Sequence, residues 1–291
     1  MKPARFRYFR PDNGADVLAI LGENGADARI LAGGQSLVPL MNMRIMQPKV
    51  LIDIRRCAEF SYIRREGDVV AIGPLTRQGE AEFDPLVAEH LPLLAAALPH
   101  VGVRANRNFG TVCGSLAHAD PLGELPSVAM ALDARFVIAS TRGRREASAD
   151  EFFISALTNC LDPDEMLAEV RFPVTPKGAI SVFDEVANRA HGFAVVGLAA
   201  CFEVDGGGNC TRARFSAMGA GTTTVRLRDV EALVEGRRLD DAAIDAAGAA
   251  AARGVEPSDD IHASAAYRMQ VIGSLVKKAL RRARAAGPGG S

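Results

Sequence analysis

The chain of 291 residues contains no tryptophan and carries almost no net charge. Tryptophan is a common part of the aromatic platforms on which single-stranded nucleic acids stack, and its absence disfavours such a platform. A formal net charge of -1 also lacks the excess of basic residues by which proteins attract polyanions. These two absences argue against nucleic acid or an anionic membrane surface as the main partner.

Cysteines are few, and none is spaced as a ligand pair. No two of them form a Cys-x-x-Cys pair, so this chain alone lacks the framework for an iron–sulfur cluster or a structural zinc. Most are interpreted as small buried apolar side chains. The five are Cys57, Cys113, Cys160, Cys201 and Cys210.

Long apolar runs are missing as well. No stretch reaches the length of a membrane span, and the first residues, 1–7, lack the apolar core of a signal peptide. The sequence therefore predicts no membrane span and a cytoplasmic location.

What is present suits a multidomain globular protein, with 48% apolar and 24% charged residues. The best boundary is Pro173–Gly178, where two prolines and a glycine interrupt regular structure. We expect a first domain over 1–175, an α+β C-terminal domain over 176–285, and a disordered tail over 286–291.

Hydrophobic patterning supports an α+β organisation in both parts. In the first part it predicts a helix over 14–25 and short strands over 29–32 and 50–54. In the second part it predicts a hairpin turn over 205–209 and the following long elements: strands 180–187, 194–204 and 211–218, and helices 225–235, from 240 onward, and 267–285.

Two short loops carry the chemistry, Ala32–Ser36 and Thr111–Ser115. Each combines glycine with a hydroxyl side chain. Glycine lets a ligand approach the backbone N–H groups closely, and converging N–H groups bind phosphate. Together the loops predict two cradles that close on one phosphorylated ligand.

Plain alternatives exist for these features. Each loop alone could be a tight glycine turn. Neither is a Gly-x-Gly-x-x-Gly or Walker sequence, so a Rossmann dinucleotide site or a P-loop is not supported. Cys113 could be a reactive thiol, but a small loop residue facing protein is favoured. Arg104 and Arg107 could balance phosphate charge, or they could serve a solvated or interface role.

The motifs resemble those of one family, the FAD-binding medium subunits of molybdenum hydroxylases, which include the xanthine dehydrogenase and carbon monoxide dehydrogenase relatives. Ala32–Leu37 resembles the first flavin loop of these subunits, and Gly110–Pro121 resembles the second, although Cys113 stands where many relatives have glycine. The resemblance continues through Glu124–Pro126, Phe152–Phe153, Leu161 with Pro163 and Glu165, Tyr267–Arg268 and the basic helix over 276–280.

This resemblance implies a two-lobed FAD-binding domain of the PCMH/vanillyl-alcohol-oxidase-like type, with lobes of about 1–57 and 58–175. An α+β C-terminal domain with a three-stranded antiparallel sheet and helices would follow. It implies that both loops surround the FAD pyrophosphate and ribityl, that Glu124 bonds flavin-side hydroxyls and that Leu161 lies near the ring system. The implied cofactor-binding residues are Ala32, Gly33, Gly34, Gln35, Ser36, Leu37, Thr111, Val112, Cys113, Gly114, Ser115, Glu124 and Leu161.

In function, the resemblance implies an FAD-carrying electron-transfer subunit with no catalytic side chain and no metal ligand of its own. A small iron–sulfur subunit carrying [2Fe-2S] clusters and a large molybdopterin subunit would be its partners, in a dimer of heterotrimers. Two alternatives stay open: a self-sufficient FAD-dependent oxidase or reductase acting on a small organic substrate, and an assembly module that has lost its flavin.

Overall fold

The computed structural model describes residues 2–189 and 192–286. Of the predicted disordered tail, Ala286 is the last residue of a helix, and 287–291 lie outside the described residues. Within the described part of the chain, no helix combines the length and the apolar character needed to cross a membrane.

A small parallel sheet opens the fold, with strand order β1-β3-β2. The predicted first helix forms because the Asn13 side chain accepts a hydrogen bond from the Asp16 N–H at 2.9 Å, and it ends at Gly25, whose φ is 48°. Parallel strands end at the same edge of a sheet, and the first glycine loop leaves β2 there. The elements are β1 (Arg7–Phe9), α1 (Gly14–Asn24), β2 (Ala28–Leu31), α2 (Leu37–Asn42) and β3 (Val50–Asp53).

A second, antiparallel sheet of five strands follows, in the order β4-β5-β10-β6-β7. Its core includes Phe136 stacked on Phe152, with ring centroids 4.1 Å apart. The elements are β4 (Ile63–Glu66), β5 (Val69–Ile72), α3 (Gln78–Ala81), α4 (Pro85–His90), α5 (Pro92–Ala97), α6 (Arg104–Arg107), α7 (Val112–His118), α8 (Glu124–Ala131), β6 (Arg135–Ser140), β7 (Gly143–Ser148), α9 (Ala149–Phe152), β8 (Phe153–Ser155), β9 (Thr158–Asn159) and β10 (Met166–Pro173).

The C-terminal part contains the three long antiparallel strands that the sequence predicts. Two short strands, β14 and β15, extend this sheet by pairing with β13. The helix predicted over 225–235 begins at Arg228, because Val225 and Arg226 are taken up by that pairing. The elements are β11 (Ile180–Ala187), β12 (Ala194–Val204), β13 (Asn209–Met218), β14 (Val225–Arg226), α10 (Arg228–Val234), β15 (Arg237–Arg238), α11 (Asp241–Arg253) and α12 (Ala265–Ala286).

Helix α8 joins the second sheet to the C-terminal sheet. Every residue from Leu125 to Ala131 is buried, because the helix packs against β12 and β13. The Ser127 hydroxyl donates to the Ser216 carbonyl at 3.0 Å, and the Arg226 guanidinium bonds Asp133 at 2.8 Å. Apolar burial and paired polar groups therefore fix the C-terminal part against α8.

Candidate functional site

The first glycine loop presents a row of unused backbone donors. In the part of the chain that the structure describes, no N–H of residues 33–37 donates a hydrogen bond to another residue. Gly34 has a φ of 73°, which glycine adopts without strain, and its carbonyl accepts from the Val38 N–H at 3.0 Å. Four N–H groups of the loop and that of Leu37, the first residue of α2, are therefore free of acceptors among the described residues.

The second loop differs, because much of its backbone is already bonded. Thr111 caps α7, its hydroxyl oxygen accepting from the Gly114 N–H at 3.0 Å. The Ser115 N–H donates to the Thr111 carbonyl at 3.1 Å, and the Val112 N–H donates to the Thr76 carbonyl at 3.0 Å. Thr111 is only 3% exposed, so the half-buried Ser115 hydroxyl is the more accessible of the two hydroxyl groups. The two loops therefore differ in how many backbone N–H groups are unbonded, although their sequences are similar.

The two loops meet backbone to backbone. A Cβ atom built on Gly33 would lie 2.2 Å from the Phe109 carbonyl oxygen and 2.7 Å from the Gly110 Cα. Real Cβ atoms do not approach other atoms so closely, so only glycine fits at residue 33. The structure therefore places the donors of the first loop beside the start of the second.

Cys113 and Arg107, considered above as a reactive thiol and a phosphate-binding cation, both have structural roles in the protein interior. Cys113 is 2% exposed, and burial raises the pKa of its thiol well above the ordinary range, so it has no thiolate character. The Arg107 guanidinium is buried and bonds the Glu82 carboxylate at 2.8 Å. Arg107 therefore serves the protein interior and does not supply a free cation to the loops.

Glu124 opens α8 and Leu161 follows β9, and both of these elements contact α7. Glu124 is the first residue of α8, and burial raises the pKa of its carboxyl to about 7. The Leu161 N–H donates to the Asn159 side chain at 2.9 Å, and Asn159 in turn donates to the Ala117 carbonyl of α7 at 2.6 Å. The segment that follows the β8–β9 hairpin and carries Leu161 is thereby tied to the helix that begins at the second loop.

Sequence reasoning missed the segment that supports the second loop. Thr76–Gln78 runs antiparallel to Gly110–Val112, with an isolated bridge between Arg77 and Thr111. The Gln78 N–H donates to the Gly110 carbonyl at 2.8 Å. This segment has no glycine and no repeated motif, so only the three-dimensional pairing reveals it.

The arrangement of the two loops is typical of one class of protein, those that bind an organic cofactor. Two adjoining loops, one with free N–H groups and one with hydroxyls, in an α+β chain with a separate C-terminal domain, are suited to a phosphate-containing organic cofactor. A family model described as the FAD binding domain in molybdopterin dehydrogenase matches residues 4–175. A second, described as the CO dehydrogenase flavoprotein C-terminal domain, matches residues 181–283. The chain belongs to the family of FAD-carrying medium subunits of molybdenum hydroxylases.

Individual relatives agree over nearly the whole length. The alpha subunit of the 6-hydroxypseudooxynicotine dehydrogenase complex of Paenarthrobacter nicotinovorans is 39% identical over 97% of this chain and 96% of its own. The carbon monoxide dehydrogenase medium chain of Hydrogenophaga pseudoflava is 34% identical over 97% of this chain and 98% of its own. A solved structure of carbon monoxide dehydrogenase from that organism superimposes with a TM-score of 0.95 at 35% identity, covering 99% of this chain and 100% of its own. The prediction of an FAD-carrying oxidoreductase subunit is confirmed.

Proposed function

We propose that the two loops hold the pyrophosphate and ribityl of FAD, with the N–H groups of the first loop as the main phosphate donors. The observation that carries this proposal is the close approach of Gly33 to Phe109 and Gly110, because it brings the unused N–H groups of the first loop next to the residues that lead into the second loop. The proposed FAD contacts are Ala32, Gly33, Gly34, Gln35, Ser36, Leu37, Thr111, Val112, Cys113, Gly114, Ser115, Glu124 and Leu161.

The residues fit a dianionic diphosphate. A phosphate oxygen needs several donors that converge without side chains in the way. Residues 33–37, with two glycines among them, carry five N–H groups that no described residue accepts, and the second loop offers Ser115 on a capped helix end. Cys113 points into the protein, so its side chain leaves the approach to that loop open even though many relatives have glycine there.

The chain's own residues then bind, orient and shield the cofactor. Glu124 would accept hydrogen bonds from flavin-side hydroxyls, and Leu161 would cover the ring system with apolar surface. When bound, FAD supplies the redox chemistry, receiving electrons from an iron–sulfur subunit and passing them to an external acceptor. No side chain of this chain is proposed to act as an acid, a base or a nucleophile.

We further propose that the chain works in the cytoplasm as one of three kinds of subunit. A small iron–sulfur subunit with [2Fe-2S] clusters and a large molybdopterin subunit would complete the enzyme as a dimer of heterotrimers. The lack of a Cys-x-x-Cys pair supports this division, because this chain offers no such cluster framework. Co-purification of the tagged chain from its native host, with subunit masses and metal content measured, tests it. Recovery of the chain as a metal-free homo-oligomer would contradict it.

The loop assignment is tested by Gly33→Val and Gly114→Val. The first places side-chain atoms against the Phe109 carbonyl, and the second places a Cβ 2.6 Å from the Thr111 hydroxyl oxygen that caps α7. We expect FAD per protein to fall at least tenfold in each, as measured by flavin absorbance and by FAD released on denaturation. Gly206→Ala is the control, since nothing lies within 4 Å of its added Cβ. Parent-like FAD content in both loop variants would refute the assignment.

A further inference from the structure

The carboxamide of Gln78 lies directly against the second loop. Its Oε1 atom is 2.7 Å from the position that a Cβ on Gly110 would occupy, so the side chain fills the space beside that glycine. Its Nε2 atom donates to the Thr111 carbonyl at 3.4 Å. With only 6% of its surface exposed, Gln78 is held in this place by the surrounding protein.

Gly110 is therefore bounded by two different parts of the chain. A Cβ on Gly33 of the first loop would lie 2.7 Å from the Gly110 Cα. Gln78 occupies the direction of the missing Gly110 side chain, and its N–H donates to the Gly110 carbonyl at 2.8 Å. A shift of Gln78 would let Gly110 move and would change the spacing between the loops.

Gln78 is itself held on a rigid support. It is the first residue of α3, and a Cβ on the next residue, Gly79, would lie 3.2 Å from the Arg107 carbonyl of α6. The buried pair of Arg107 with Glu82, at 2.8 Å, fixes α6 to the residue that follows α3. The support thus lies behind the second loop and contains none of the residues proposed to touch FAD.

From this geometry we propose that Gln78 is a positioning residue for FAD: its carboxamide sets the gap between the two glycine loops and thereby the affinity for the cofactor. This inference rests on the proposed FAD site. The gap decides whether the N–H groups of the first loop and the Ser115 hydroxyl can reach one diphosphate together, since hydrogen bonds weaken steeply with distance and angle.

Two substitutions separate packing from hydrogen bonding. Gln78→Ala removes both the filler beside Gly110 and the donor to Thr111, and we expect the dissociation constant of FAD to rise at least tenfold. Gln78→Met keeps most of the volume and donates nothing, so we expect a smaller rise of about threefold to fivefold. In both variants the absorbance band of the bound flavin should shift, because the loops hold it in an altered position.

The experiment uses the full chain in its purified complex, stripped of flavin and titrated with FAD, with thermal unfolding measured in parallel. Ser127→Ala is the control, since it also removes a buried hydrogen bond but lies in α8 at the domain interface. It should lower the unfolding temperature and leave both the FAD affinity and the flavin spectrum unchanged. If both Gln78 variants keep the parent's affinity within twofold and the parent's spectrum, the positioning role is wrong. If the parent itself takes up no FAD, the proposed site fails instead.

Discussion

Replacing Glu124 with glutamine should make the flavin-free chain more stable at slightly alkaline pH. Burial is the largest cause of the raised pKa of this carboxyl. The carboxylates of Glu185 and Asp120 raise it further, because their charge opposes a second negative charge. Arg107 acts in the opposite direction, but its guanidinium is already bonded to Glu82. The folded chain therefore holds the Glu124 proton more tightly than the unfolded chain does.

The sign and the size of the pH effect on stability follow from this difference in proton affinity. The pKa of Glu124 is about 7 in the fold against an ordinary value of 4.5. Between these values the folded state binds the extra proton, so the free energy of unfolding falls as the pH rises through this window and is constant above it. Each pH unit is worth about 1.4 kcal/mol, which sets a ceiling of about 3.5 kcal/mol on the change in the free energy of unfolding. The Glu124→Gln variant has no ionisable group at this residue, so its free energy of unfolding should not fall over this pH range for this reason.

Urea unfolding followed by circular dichroism at pH 5 and pH 8 measures the effect, since the chain has no tryptophan to report by fluorescence. The stability of the Gln variant relative to the parent should increase by about 1–3 kcal/mol between the two pH values. Glu151→Gln is the control. Bonds from the Ser148 N–H and hydroxyl lower the pKa of Glu151 below its ordinary value of 4.5. Its titration therefore changes stability only below about that pH, and the stability of its variant relative to the parent should be nearly the same at pH 5 and pH 8. An equal difference between parent and Glu124→Gln at both pH values would refute the reasoning.

Two further substitutions test the packing of the fold. Gly273→Ala should destabilise the C-terminal domain by about 1–3 kcal/mol, because the new Cβ would lie 2.7 Å from the Gly248 carbonyl oxygen. Its control, Gly22→Ala, should be neutral or stabilising, because the added Cβ makes only ordinary contact at 3.5 Å. Equal melting temperatures for the two variants would contradict this prediction. Tyr8→Phe should lower the free energy of unfolding by about 1 kcal/mol at neutral pH, because the phenol donates to the buried Asp53 carboxylate, whose pKa is lowered to about 2. This loss of stability should disappear as acid protonates the carboxylate. A loss that persists in full at pH 2 would show that packing alone was responsible.

The sequence predicted the elements whose signals are local. The strands of the C-terminal sheet are long apolar runs with a glycine-rich turn between two of them, and Asp205 closes that turn by accepting from the Asn209 N–H at 2.9 Å. The first helix has an Asn cap and a glycine stop. Such signals depend on neighbours within a few residues, so a single sequence contains them.

Features set by distant partners could not be predicted. Nothing near Arg107 in the sequence reveals that Glu82, 25 residues earlier, neutralises it. The similar sequences of the two loops suggested equal donors, yet Thr76 accepts the Val112 N–H and reduces what the second loop offers. The predicted start of helix α10 was wrong for the same reason. Val225 is extended because it pairs with β13, a partner that the local sequence does not reveal.

Contacts between distant segments also link the C-terminal domain to the proposed FAD site. Sequence reasoning put every proposed FAD contact in the first domain, but the segment that follows α7 is bonded to the second. The Gly219 N–H at the end of β13 donates to the Pro121 carbonyl at 2.9 Å, and Glu185 of β11 is close enough to raise the pKa of Glu124. Because the segment from Pro121 to Glu124 begins only a few residues after the second loop, the C-terminal domain supports a segment next to the proposed FAD site. Changes to β11 or β13 should therefore alter the environment of Glu124 without touching either glycine loop.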